Sequence, residues 1–68
     1  MRPHEQRVVE EHADLVKRIE ALQTFVSGSV IRTLPAEEQQ RMEIQLGLMK
    51  QLAAVLQERI DNFPKGAA

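Results

Sequence analysis

The chain contains no cysteine, tyrosine or tryptophan, and two phenylalanines are its whole aromatic content. Without cysteine there is neither a disulfide staple nor a thiolate zinc site. Charge of one sign is also missing. Nine Lys and Arg against ten Asp and Glu leave a formal net charge of −1, with the two signs interspersed. A binder of a long DNA or RNA backbone normally shows a one-sided basic excess, so that class of partner is not expected. Nor is there a long hydrophobic run. The longest stretch free of charge, Ala21 to Ile31, falls far short of a membrane span and contains Ser27, Gly28 and Ser29. The opening Met1-Arg2-Pro3-His4-Glu5 has no apolar core behind it, so no secretory signal is expected and the chain reads as soluble and cytoplasmic.

Sixty-eight residues make one domain, or a part of a core shared between subunits. A chain of this size buries only about 60% of its unfolded surface when it folds alone. Small scaffolds are stabilised by disulfides, a metal or oligomerisation. With the first excluded and no cage for the second, oligomerisation is the expected route.

What is present is helical periodicity on both sides of a hinge. Pro3 suits a first helical turn, where no amide is needed, and Glu5, Glu10 and Glu11 place acid near the positive end of the helix dipole. The apolar series Val8, Leu15, Ile19, Leu22, Val26 steps by seven, four, three and four, with His12 in its gap, Val9 and Val16 on one flank and Phe25 beside its end. Asp14 and Arg18 are spaced as a surface i,i+4 pair worth about 0.3 kcal/mol. These features predict helix 1 over about 4–27.

Ser27-Gly28-Ser29 predicts its end, with the glycine in a left-handed conformation and the serines capping backbone groups. Val30, Ile31 and Leu34 are too apolar for a solvated loop and are expected to plug the closed end of a hairpin, making 28–34 the hinge. Pro35 reads as the first residue of helix 2, over about 35–62, with Glu37 and Glu38 in its opening turn. Its stripe is Met42, Met49, Leu52, Leu56, Ile60 and Phe63. A second set, Ile44, Leu48 and Val55, covers another sector, with Leu46 and Ala53 filling part of the gap. One partner helix needs only one stripe, so helix 2 carries more apolar surface than a lone hairpin can cover. Gly47 costs a helix about 1 kcal/mol relative to alanine, and at mid-helix it predicts a close helix crossing. Pro64 and Gly66 stop the helix, leaving 64–68 as a loose tail beyond a hairpin domain of residues 1–63. The expected fold class is all-α: an antiparallel two-helix hairpin in a homo-oligomeric bundle.

Chemistry-bearing motifs are few. His4-Glu5 opens like the metalloprotease pattern His-Glu-x-x-His, but Val8 stands at its closing position. His4 and His12 are two turns apart, too far to share one ion without further ligands. Ser27 and Ser29 have no histidine near in sequence and no strand to hold a nucleophile elbow, and Ser-Gly-Ser lacks the lysine and spacing of a phosphate loop. Enzyme activity, a metal and a cofactor are therefore not expected. Met42 and Met49, seven apart, read as core packing. The arginines carry more. Arg7, Arg18 and Arg59 lie on helices that oligomerisation brings together, and Arg32 lies at the hinge. Guanidinium forks match phosphate oxygens in bidentate fashion, and symmetry turns one arginine per chain into a ring. A small polyanion can be gripped in this way by a chain with no net basic charge. For any one of these arginines the plain alternative is a solvated surface cation.

The order Gln6-Arg7-Val8-Val9-Glu10-Glu11, Leu15, Arg18-Ile19, Leu22, Phe25-Val26-Ser27, then Leu34, Glu38, Gln45, Met49, Leu56, Arg59-Ile60 and Phe63, resembles the hairpin domain of phage anti-defence nucleotide sponges. These are the anti-CBASS sponges and their relatives that counter Thoeris. The likeness runs from about Gln6 to Phe63, and Arg7, Glu11, Ser27, Arg18 and Arg59 are its polar positions. It implies a compact helical homohexamer without catalytic activity, acting in the host bacterial cytoplasm. Its ligands would be cyclic di- or trinucleotides or cyclic ADP-ribose isomers, held at subunit junctions. In one branch a tyrosine stacks on a base and a lysine meets phosphate, both on the first helix. This chain has no tyrosine, and Glu20 falls near the lysine's place, so a cyclic trinucleotide on a symmetry axis fits equally well. His12 also stands where that pattern expects lysine.

On this reading Arg7, Arg18, Arg32 and Arg59 are phosphate candidates, and Ser27, Ser29 and Thr33 are hydrogen-bonding ones. Two alternatives remain open: a small helical-hairpin RNA-binding dimer, against which the charge balance argues, and a ligand-free coiled-coil adaptor whose surplus stripe docks a partner helix.

Overall fold

The computed structural model describes residues 2–64. Helix α1 spans Pro3–Ser27, a 3-10 turn spans Val30–Thr33, and helix α2 spans Ala36–Asp61. Pro3 is the first helical residue of α1, and Glu5 closes its N-terminus by accepting the Arg2 amide at 3.0 Å on Oε1. This bond satisfies one of the amides a helix start leaves free. It also gives the carboxylate of Glu5, the one buried charged side chain among the described residues, a partner.

Val8, near the start of α1, shares a buried cluster with Leu56, near the end of α2, and Ile60 and Phe63 pack against that cluster, so the helices run antiparallel as a hairpin. Val8, Leu15 and Leu56 form the buried centre, with Ile19, Met49, Ala53, Ile60 and Phe63 half-buried around it. Leu46 and Ile31 are buried nearer the turn. The result is a rod, 53 Å by 14 Å by 14 Å.

The hinge differs from expectation in three respects. Gly28 is extended (φ −86°, ψ −175°), not left-handed, and its amide donates to the Phe25 carbonyl at 3.1 Å. The chain leaves α1 straight into the next short turn, so no reversal at a positive φ is required. Neither Ser27 nor Ser29 caps a backbone group with its side chain among the described residues; the side chains that do so near the turn are Thr33, donating to the Val30 carbonyl, and Gln39, donating to the Leu34 carbonyl. Of the three apolar hinge residues, Ile31 is buried and Leu34 half-buried, but Val30 is 61% exposed. In a 3-10 turn residues three apart eclipse, so Ile31 and Leu34 share the inner side and Val30 cannot join them.

Pro35 stands just before α2, not within it; its carbonyl accepts the amides of Glu38 and Gln39, both at 3.0 Å. Asn62 ends α2, its side-chain amide donating to the Glu58 carbonyl at 2.8 Å. The expected loose tail lies, from residue 65 on, outside the described residues.

The outer side of α2 departs most from an ordinary hairpin. Ile44, Leu48, Leu52 and Val55 are 49% to 60% exposed. Leu52, expected in the inner stripe, sits instead at the border of the outer one, four residues beyond Leu48 and three before Val55. Covering a Leu, Ile or Val completely contributes about 1.5–3 kcal/mol, so each of the four leaves roughly half of that unused. The close crossing expected at Gly47 does not occur within the hairpin: nothing lies within 4 Å of the position a Cβ would take.

Candidate functional site

The seven candidate residues fall along the rod in three places. Arg7 lies in the second turn of α1 beside buried Val8, and Arg59 in the last turn of α2 beside Ile60, so both belong to the open end of the hairpin. Arg18 is eleven residues from Arg7, about 16 Å along the helix. Ser27, Ser29, Arg32 and Thr33 occupy the closed end, some 30 Å from Arg7 at 1.5 Å per residue. One copy of the chain therefore gathers Ser27, Ser29, Arg32 and Thr33 by their closeness in sequence, and the two arginines of the open end by antiparallel packing. It does not bring the two ends together.

All seven residues are exposed. Among the described residues Arg7, Arg18, Arg32 and Arg59 form no ion pair; the pair that does form is Glu38 with Arg41, at 2.9 Å. The Asp14–Arg18 pair expected from spacing is thus not made. Unpaired guanidinium groups keep their donors for an incoming oxyanion, and the cost of stripping away a competing carboxylate does not arise. Thr33 is less available than the serines, because its hydroxyl already donates to Val30 at 2.6 Å. Its oxygen can still accept.

No three His, Asp or Glu side chains gather as a metal site among the described residues. His4 is exposed and His12 half-buried. No helix among the described residues is long and apolar enough to cross a membrane.

An open apolar surface lies elsewhere. A groove of about 370 Å³ runs along α2, lined by Arg41, Ile44, Gln45, Leu48, Met49 and Leu52. Gln45 reaches along it to within 3.9 Å of the Met49 sulfur. Arg41 was not among the residues singled out by sequence. Its signal was its position one turn before Ile44 on the surplus stripe, at the mouth of the groove.

Among known protein families, the Sequestin family model matches residues 2–62 of the chain. No curated protein and no solved structure matches.

Proposed function

The chain belongs to the Sequestin family, the phage anti-CBASS and anti-Thoeris sponges of cyclic nucleotides, and on that premise we propose that it is a non-catalytic binding protein that assembles with its own copies and sequesters cyclic oligonucleotide or cyclic ADP-ribose immune signals. The family match carries this reading, and two features of the fold support it. Four arginines stand exposed and, among the described residues, without an ion-pair partner, at positions that symmetry would repeat. The outer face of α2 supplies the uncovered apolar surface that self-association needs.

The mechanism is mass action. A sponge succeeds when it is abundant and tight relative to the signal, so that the defence effector in the host bacterial cytoplasm never meets its activator. Arg7, Arg18, Arg32 and Arg59 supply the phosphate-binding forks. Ser27, Ser29 and Thr33 supply hydroxyls to base or ribose. Because the two ends of one rod are some 30 Å apart, a small cyclic ligand is held by residues from more than one copy, in an assembly we take to be a homohexamer.

A thermal-shift panel on the full chain tests this reading, using cyclic dinucleotides, cyclic trinucleotides and cyclic ADP-ribose isomers. A true ligand at 100 times its Kd adds about 2.7 kcal/mol of stability. Arg7→Ala or Arg59→Ala abolishes the shift while leaving the assembly intact. If no member of the panel moves the melting temperature, the sponge reading fails, and a ligand-free adaptor takes its place.

A further inference from the structure

We propose that Gln39 is a positioning residue for the ligand: it clamps the exit of the hinge and so presets the backbone that carries Arg32 and Thr33. This inference rests on the sponge reading and names how one part of its site is held ready. The 3-10 turn Val30–Thr33 runs into Leu34, whose extended backbone (φ −86°, ψ 156°) leads to Pro35. A residue before proline is kept out of the helical region, so Leu34 cannot join α2. The backbone ladder of α2 begins instead at the Pro35 carbonyl, which takes the amides of Glu38 and Gln39. Among the described residues no backbone amide reaches the carbonyl of half-buried Leu34, and such a group needs a partner. The half-buried side chain of Gln39 supplies it, donating at 2.8 Å across five residues.

Further contacts hold the same turn at its start and from within. Ile31 is buried, and the Thr33 hydroxyl donates to the Val30 carbonyl. The Arg32 amide donates to the Ser29 carbonyl at 3.2 Å, and the Leu34 amide to the Ile31 carbonyl at 3.1 Å. Arg32 therefore stands between an anchored residue and a clamped stretch. Its main chain is fixed while its side chain stays exposed. A 3-10 turn has poorer hydrogen-bond geometry than an α-helix, so a side-chain clamp at its exit matters to how well it is ordered. A ligand that meets an ordered turn does not have to order it, and the difference appears as affinity. Gln39 needs no contact with the ligand for this role.

Gln39→Met keeps the length of the side chain and removes the donor. In the full chain without ligand, the amides of Arg32 and Leu34 should then exchange with solvent about two- to tenfold faster, the span set by one neutral hydrogen bond. Amides at the centre of each helix should keep their rates. Affinity is titrated with cyclic diadenylate, cyclic triadenylate and cyclic ADP-ribose. The probe that the wild type binds should bind Gln39→Met about two- to tenfold more weakly, with the mass of the assembly unchanged. That loss should largely vanish where Arg32→Ala is already present, because a positioning residue acts through what it positions. Unchanged exchange, an equal loss in both backgrounds, or a loss that comes with a smaller assembly overturns the inference and leaves the sponge reading standing. A wild-type chain that binds none of the three probes removes the sponge reading, and this inference with it.

Discussion

The two helices of the hairpin are nearly equal in length, yet they end in opposite situations. In α1 every large apolar side chain is buried or half-buried, from Val8 and Leu15 at the centre to Val9, Val16, Ile19, Leu22, Phe25 and Val26 at the flanks. In α2, Leu56 is 2% exposed while Leu48, only two turns earlier, is 60% exposed. One stripe matches one neighbour; two stripes on one helix need two neighbours. The hairpin thus satisfies α1 and leaves α2 half-finished, so the surface available for assembly can be located without reference to any ligand.

That contrast is broken most severely at Leu56. Leu56→Ala removes the most buried side chain and should cost about 2–5 kcal/mol, lowering the urea midpoint at every protein concentration. Leu48→Ala touches only the outer face, so its effect on the melting temperature should depend on concentration, shrinking on dilution as the assembly dissociates. Equal and concentration-independent losses at the two sites would show that the faces are not distinct.

Gly47→Ala sharpens the comparison. In an isolated hairpin the added methyl meets nothing, and helix propensity alone should stabilise the chain by about 1 kcal/mol. Where a second copy packs close against Gly47, the gain should vanish or reverse as concentration rises. Thermal melts of the variant at high and low concentration read the difference. A gain that persists at high concentration would show that no copy packs against Gly47.

The smallest effect is expected at Glu38. Its ion pair with Arg41 is exposed on both sides, and such pairs contribute about 0.2–1 kcal/mol or less. Glu38→Ala should therefore change dilute-solution stability by no more than about 0.5 kcal/mol. A larger loss confined to concentrated solution would place the pair inside an interface.

How far the sequence carried the fold follows from the same division. Periodicity alone located both helices, the inner residues Val8, Leu15 and Leu56, and the surplus of α2. It failed where direction depends on a local turn of different pitch: Val30 points outward because the 3-10 turn has three residues per turn. Leu52 was misplaced because at 100° per residue it lies on the border between two stripes, and only the packing of α1 decides which side is inner. Gly28 and the Asp14–Arg18 pair followed statistical preferences that cost little to disregard. A glycine can end a helix in an extended conformation, and an exposed ion pair contributes too little to fix two long side chains. For the site, residue types were readable in the chain, but their distribution over both ends of a rod was not, because it depends on where the antiparallel partner begins and ends.

The claim beneath all of this is that α2 is completed by another copy of the chain. Native mass spectrometry of the unmodified protein at micromolar concentration tests it most directly. A single multi-copy species is predicted, with six copies the expected number; a helical, cooperatively folded monomer as the dominant species would contradict it.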